Sequence, residues 1–287
     1  MTRRNWILFG LTGVLWGIPY LFIKIAVRDY SPAIVVCGRT LIGAAILIPL
    51  ALKQGSLKQA LKGIRYVIPY AIAEMVGPWI LITSAEKKIS SGLAGLLIAT
   101  VPIWSTILTS LHGDKSVWQP RRLFGIVVGF IGIVALVGIE SIQGTSNPLA
   151  IGAVILSAIL YAFATIRITR ALPGVSGLAI NGVAMAFTSI FYLPFAISEW
   201  PKGHISQAST FSLIALGIFS TALAFALFFM VMDEIGPARA SLVTYINTAV
   251  AVLLGVLLLS EPLTLGIIVG LPLVLVGSYF ASRKEKV

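Results

Sequence analysis

Ten stretches of about twenty mostly apolar residues divide this chain almost end to end, the length that a helix needs to cross the hydrocarbon core of a bilayer. They read as 5–28, 32–52, 64–85, 90–112, 121–140, 148–169, 175–197, 210–232, 237–259 and 264–282. The runs are apolar all round, whereas a soluble bundle would show one polar face per helix. They also lack the alternation over ~10 residues that marks a transmembrane β-barrel. The expected fold class is therefore an all-α membrane protein with ten transmembrane helices. Composition agrees, with 58% of the 287 residues apolar and 11% charged, against roughly 25% charged in a soluble domain. Ser31-Pro32, Asn147-Pro148 and Gly236-Pro237 put proline at span starts, where its missing N–H costs nothing. Ser90-Ser91 offers N-cap candidates for span 4. Arg3-Arg4 before an apolar run imitates a secretory signal, but the run is long, contains Lys24 and has no small-residue cleavage site. Span 1 is expected to be a mature helix.

Orientation follows from the cations. With the N-terminus inside, the inner segments carry Arg3, Arg4, Lys53, Lys58, Lys62, Arg65, Lys115, Arg121, Arg122, Arg167, Arg170, Arg239, Arg283, Lys284 and Lys286. The outer ends carry only Lys24, Arg28, Lys87, Lys88 and Lys202, and Arg39 lies within span 2. That imbalance predicts cytoplasmic termini in a multi-pass protein of the cell inner membrane. The net charge of +11 sits in short clusters between spans. It suits anionic lipid headgroups and lacks the continuous basic face of a nucleic-acid binder. No G-x-x-x-x-G-K-[ST] phosphate loop is present. There is no H-E-x-x-H motif either, and the single cysteine, Cys37, lies within a span. His112 and His204 stand far apart at span ends. No cofactor or metal is expected, and an intramembrane enzyme is kept only as an alternative of a different class. The expected partners are a small-molecule substrate and membrane lipids, with the chain a monomer or homodimer.

The two halves, 1–145 and 146–287, repeat a pattern. Ile89 through Val101 aligns with Ile235 through Asn247 at an offset of 146, with Ala94/Ala240 and Leu96/Leu242 matching. The turn Ala85–Ile89 pairs with Val231–Ile235 at the same offset. An odd number of spans per copy makes two five-helix repeats inverted, an arrangement used widely by secondary transporters that bind substrate near the midplane.

Polar groups inside spans are expensive and therefore informative. Lys24, Arg39 and Glu74 are the deepest ionisable residues and are expected to pair, Arg39 with Glu74 first. Glu74 has two readings: a cavity carboxylate for a proton or an ammonium, or a structural partner of Arg39 or Lys24. Lys24 and Arg39 are read foremost as anchors of spans 1 and 2. A second set comprises Trp16 and Tyr20, four apart on one helical face, with Trp79, Gly95 and Trp104. In the second half it includes the i,i+4 pair Tyr161 and Thr165, together with Phe225, Tyr245 and Asn247. Aromatic walls hold flat side chains by stacking or cations over their faces, although Trp and Tyr also form interfacial belts. Trp6, Trp118 and Trp200 belong to that belt by position. Gly77-Pro78, Pro102 and Pro272 are expected kinks. Small pairs at Gly13/Gly17, Ser91/Gly95, Gly125/Gly129 and Gly266/Gly270 permit close helix contact.

Several short motifs resemble the drug/metabolite transporter superfamily, in its ten-span EamA-type branch. In the first half these are Leu15-Trp16-Gly17, Ile23-Lys24, Arg39, Pro102 and Gly113-Asp114. In the second they are Thr221-Ala222-Leu223-Ala224-Phe225, Gly236-Pro237-Ala238-Arg239-Ala240 and Ser260-Glu261-Pro262-Leu263-Thr264. The chain departs from the pattern at Thr248, where the family often has proline. The resemblance implies a non-enzymatic secondary transporter working by alternating access. It is most similar to bacterial exporters of amino acids, aromatic ones in particular, with export of drugs or other metabolites as the runner-up.

Overall fold

The computed structural model describes residues 3–111, 118–142, 147–235, 240 and 242–282. Every element in that set is helical. The first span joins α1 (Arg3–Gly17) to α2 (Pro19–Ala26), with the break where Pro19 contributes no N–H to the ladder. Then come α3 (Pro32–Lys53), a short connecting helix α4 (Leu57–Lys62), and α5 (Ile64–Ala71). A π turn, Ile72–Val76, leads into α6 (Gly77–Ala85). Span 4 is split into α7 (Ser91–Ile98) and α8 (Val101–Leu111). α9 (Pro120–Ile142) and α10 (Pro148–Ala171) follow, then α11 (Gly177–Ser198) and α12 (Gln207–Gly217). A second π turn, Ile218–Leu223, leads into α13 (Ala224–Ile235). α14 (Val243–Leu259) and α15 (Leu265–Ser282) close the chain.

By length and composition, 7 of the helical stretches can cross a membrane, and α14 and α15 are shorter apolar helices. α9 adds a further apolar helix of 23 residues. Helix ends are set by local chemistry. The Ser31 and Ser90 hydroxyls accept from the backbone N–H groups of Ile34 and Leu93. Asn147 Oδ1 accepts from Leu149 and Ala150 at 3.0 and 3.1 Å, one residue before Pro148. Asn147→Ala is expected to destabilise the protein by about 1 kcal/mol, read as a lower melting temperature in micelles. The expected start of span 9 at Pro237, His112–Lys115 and the boundary between the halves at 145/146 lie outside the described residues.

The helices pack in pairs drawn from the two halves. α9 lies along α15, and α3 along α11. α6 packs on α10, α1 on α13 and α14, and α7 on α14. Glycine makes two of these approaches possible. A Cβ on Gly17 would meet Val250 and the Asn247 carbonyl, and one on Gly125 would meet the Ala281 and Gly277 backbone. The small pairs therefore face neighbouring helices within the chain: Gly13 and Gly95 against α14, Gly129 against Ile103, Gly270 against Leu136. Gly266 is buried as well. Val134, Ile190, Ile197 and Leu257 project outward as a lipid-type surface, and Trp6, Trp118 and Trp200 are exposed.

The expected kinks divide. Gly77-Pro78 directly follows a π turn. The helix breaks at Ala99–Thr100, just before Val101-Pro102. α15 continues through Pro272, and α14 through Thr248, so proline's absence at 248 leaves a continuous helix.

Candidate functional site

The middle of the bundle gathers polar groups from both halves around Arg39. Its side chain is 6% exposed. Nε donates to Thr221 Oγ1 at 3.2 Å, and the guanidinium carbon stands 3.8 Å from the centroid of the Trp79 ring. Thr221 sits in the Ile218–Leu223 π turn and donates to the Leu216 carbonyl, five residues back, at 2.8 Å. Such turns open a helical ladder and are frequent at functional sites. Trp79 follows the other π turn, which carries Glu74; Glu74 Oε2 is enclosed and lacks a hydrogen-bond partner. Tyr20 and Tyr161 lie within electrostatic reach of the guanidinium, and Tyr161 within reach of Glu74 also. Tyr20 itself packs against the bare face of Gly95.

The expected charge pairing is corrected here. Among the described residues, none of Lys24, Arg39 and Glu74 forms an ion pair with another of the three. Arg39 is held by a hydroxyl and an indole face instead. Lys24 Nζ donates at 2.6 Å to the carbonyls of Glu86 and Ile89, which the turn after α6 leaves free. A long amine on the adjoining span end satisfies those carbonyls without a carboxylate.

The aromatic and polar candidates split into groups. Trp16 packs edge-on to Phe225 at 5.4 Å and on Phe228 at 4.5 Å, joining α1 to α13. Asn247 is buried where α14 meets α1, and its Oδ1 accepts from Thr248. Three candidates stand apart from Arg39. Trp104 donates to Thr100 and packs on Phe130 of α9. Tyr245 lines an apolar groove with Leu275, Val276 and Tyr279. Thr165 is exposed, one turn along α10 from Tyr161.

Sequence reading missed the carboxylates that clasp the two halves at one end of the bundle. Glu261 accepts from Ser91 N at 2.9 Å, from Ser91 Oγ at 2.7 Å and from Gly92 N at 3.4 Å. It thereby caps the N-terminus of α7, where a negative charge is favoured. Ser260, at φ 55°, turns the chain to aim this carboxylate. A Cβ on Gly255 would collide with Glu261 Oε2 and Ser91 Oγ. Nearby, Asp29 accepts from the backbone and the hydroxyl of Ser206 at 3.0 and 2.5 Å. Those two bonds hold its carboxyl below the usual carboxylate range. Glu86 is fully buried at this same end, and neither carboxylate oxygen has a hydrogen-bond partner. Ser90-Ser91 and Ser260-Glu261 were visible as turn and cap signals; their joining across the halves was not. At the opposite end a cavity of about 480 Å³ opens between α5 and α10, lined by Arg65, Tyr66, Tyr70, Phe163, Arg167 and Arg170 among others. Tyr70 donates from its floor to Asn181 at 3.0 Å.

Comparison with known proteins gives consistent relatives. The model of the "EamA-like transporter family" matches residues 4–138 and again 148–283. An uncharacterized transporter of Archaeoglobus fulgidus is 29% identical, over 98% of this chain and 100% of its own length. The uncharacterized inner membrane transporter YedA of Escherichia coli is 26% identical, over 96% and 91%. The uncharacterized transporter YoaV of Bacillus subtilis is 23% identical, over 97% and 99%. A solved structure titled "Crystal structure of protein" superposes with a TM-score of 0.67 at 20% identity, covering 98% of this chain and 97% of that one, which speaks to the fold alone.

Proposed function

This chain belongs to the EamA-like transporter family of membrane transporters, and we propose that it exports amino acids, aromatic ones foremost, across the cell inner membrane by alternating access. The single observation that carries this reading is the buried constellation of Arg39, Trp79, Glu74, Tyr161 and Thr221, built by both halves of the chain. It combines an aromatic wall for a flat side chain with a guanidinium and a carboxyl group that are not paired with one another among the described residues. Glu74, with its unpartnered oxygen, is the group for a substrate ammonium or a coupling proton.

Ten spans in two inverted five-helix repeats, 1–145 and 146–287, complete the reading. The π turns support it, because Ile72 and Ile218 open them at the same 146-residue offset as the aligned segments. The packing supports it too: α6 of the first half on α10 of the second answers α13 of the second half on α1 of the first. The imbalance of Lys and Arg places both termini in the cytoplasm. In that orientation the Glu261 and Asp29 clasps close the outer end, and the cavity lined by Arg65 and Arg167 opens inward.

Purified protein in liposomes is expected to exchange labelled phenylalanine. Imposing a pH gradient should speed uptake in wild type and have no effect in Glu74→Gln. Movement of cationic dyes alone would replace the amino-acid reading with that of a drug exporter. A chemically altered product without flux would point to an enzyme.

A further inference from the structure

We infer that Arg39 is the anchor for a carboxylate on the transported molecule, so that the substrate supplies the counter-charge the protein omits. This rests on the reading of the central constellation as the substrate site, and it names the chemical group recognised there.

The argument begins with depth. Arg39 is the eighth residue of α3, roughly 10 Å along the helix from its Pro32 end. A cation at such a depth is costly and is normally met by a paired acid. Here its contacts are a neutral hydroxyl and an indole face. Among the described residues no carboxylate lies within ion-pair distance of it. Its two terminal nitrogens have no hydrogen-bond partner among the described residues either.

The two contacts that do exist define an orientation. Thr221 holds Nε on one edge and Trp79 covers one face. What remains is the edge bearing the terminal nitrogens, the fork that accepts a planar carboxylate through two parallel bonds. Lysine would offer no such fork, and a purely structural cation would be expected to fill it with protein oxygens. Tyr161 lies within electrostatic reach of Arg39 and of Glu74, whose enclosed Oε2 has no hydrogen-bond partner among the described residues. A guanidinium with an open edge, a phenol and an unpaired carboxyl group are the chemical complement of a molecule that carries an anion and a cation beside an aromatic group. Glu86 also lies within electrostatic reach of Arg39, but among the described residues it forms no ion pair with it.

Calorimetric titration of the purified protein in micelles tests this with three probes: phenylalanine, 3-phenylpropionate and phenethylamine. Both carboxylates are expected to bind wild type, and phenethylamine about 10-fold or more weakly, since a charged hydrogen bond of this kind is worth one to two decades of affinity. Arg39→Gln should remove the preference, whereas Arg39→Lys should retain part of it. Equal binding of phenethylamine and phenylalanine by wild type overturns the inference, as does failure of both carboxylates to bind. Both outcomes are read without any variant, should Arg39→Gln fail to fold. An unchanged preference in Arg39→Gln overturns it as well. The two proposals separate cleanly. Arg39-dependent binding of 3-phenylpropionate without phenylalanine exchange in liposomes sinks the amino-acid reading and leaves the anchor. Phenylalanine exchange that is indifferent to Arg39 does the reverse.

Discussion

Gly277→Val is expected to strip the protein of most of its folded yield, because it wedges apart the closely packed pair α9 and α15. A Cβ at 277 would lie within 3.0 Å of Gly129 N, Gly129 Cα and the Gly125 carbonyl, all of them backbone atoms that cannot turn aside. Gly125 faces the same seam from α9, with the Ala281 and Gly277 backbone against it. Side-chain overpacking costs ~1–3 kcal/mol, and a backbone collision lies at or above the top of that range. A loss of about 3 kcal/mol lowers the melting temperature by roughly 6–12 °C in a chain of this size. The measurement is thermal unfolding in micelles followed by size-exclusion chromatography. Gly152→Val is the control, because nothing lies within 4 Å of the atom it adds. Should Gly277→Val melt within a degree or two of wild type, α9 and α15 do not approach as closely as described.

Glu261→Ala is expected to act on conformation more than on stability. Its carboxylate ties the turn after α14 to the start of α7, through two backbone N–H groups and a hydroxyl. Losing charge-assisted bonds of this type costs about 2 kcal/mol, roughly 30-fold in the balance between closed and open ends. The lone cysteine simplifies the readout, because Cys37 is buried and can be removed in a Cys37→Ser background. In that background Ala94→Cys places a thiol at a fully buried position just below the clasp. An impermeant maleimide applied from outside should label it about 30-fold faster once Glu261 is gone, following the same ratio. If labelling is unchanged, Glu261 is not what keeps that end shut.

Much of the helical layout could be read directly from the residues, since it depends on local chemistry. Pro32 and Pro148 start helices as expected, and Ser31, Ser90 and Asn147 cap them. The glycine pairs marked contact faces, and α9 and α15 use them on each other. What escaped were contacts between residues far apart in the chain. Arg39 pointed toward the only carboxylate deep in a span, yet its partner is Thr221, a hydroxyl 182 positions away in a mostly apolar run. A threonine in a membrane helix ordinarily bonds its own backbone, so the motif that contains Thr221 did not tie it to Arg39. Trp104 and Tyr245 have other neighbours than Arg39, because an aromatic ring fills a seam between two helices as readily as it walls a cavity. Thr165 shares a helical face with Tyr161, but one turn further along α10 that face is exposed. The carboxylates Asp29, Glu86 and Glu261 sit in turns, where an acidic residue does not announce its partner, and only the assembled bundle brings two of them to helix starts in the other half.

The two π turns have a mechanical meaning beyond their symmetry. Each is a length of helix wound with slack, since a π turn holds more residues than an α turn over a similar rise. Glu74 and Thr221 both ride on that slack. If the surplus residue passes along its helix, the side chains it leaves behind swing by about 100° while the ends of the span keep their depth. In such a bundle the grip on cargo is loosened from within, and the lipid need not yield for the centre to let go.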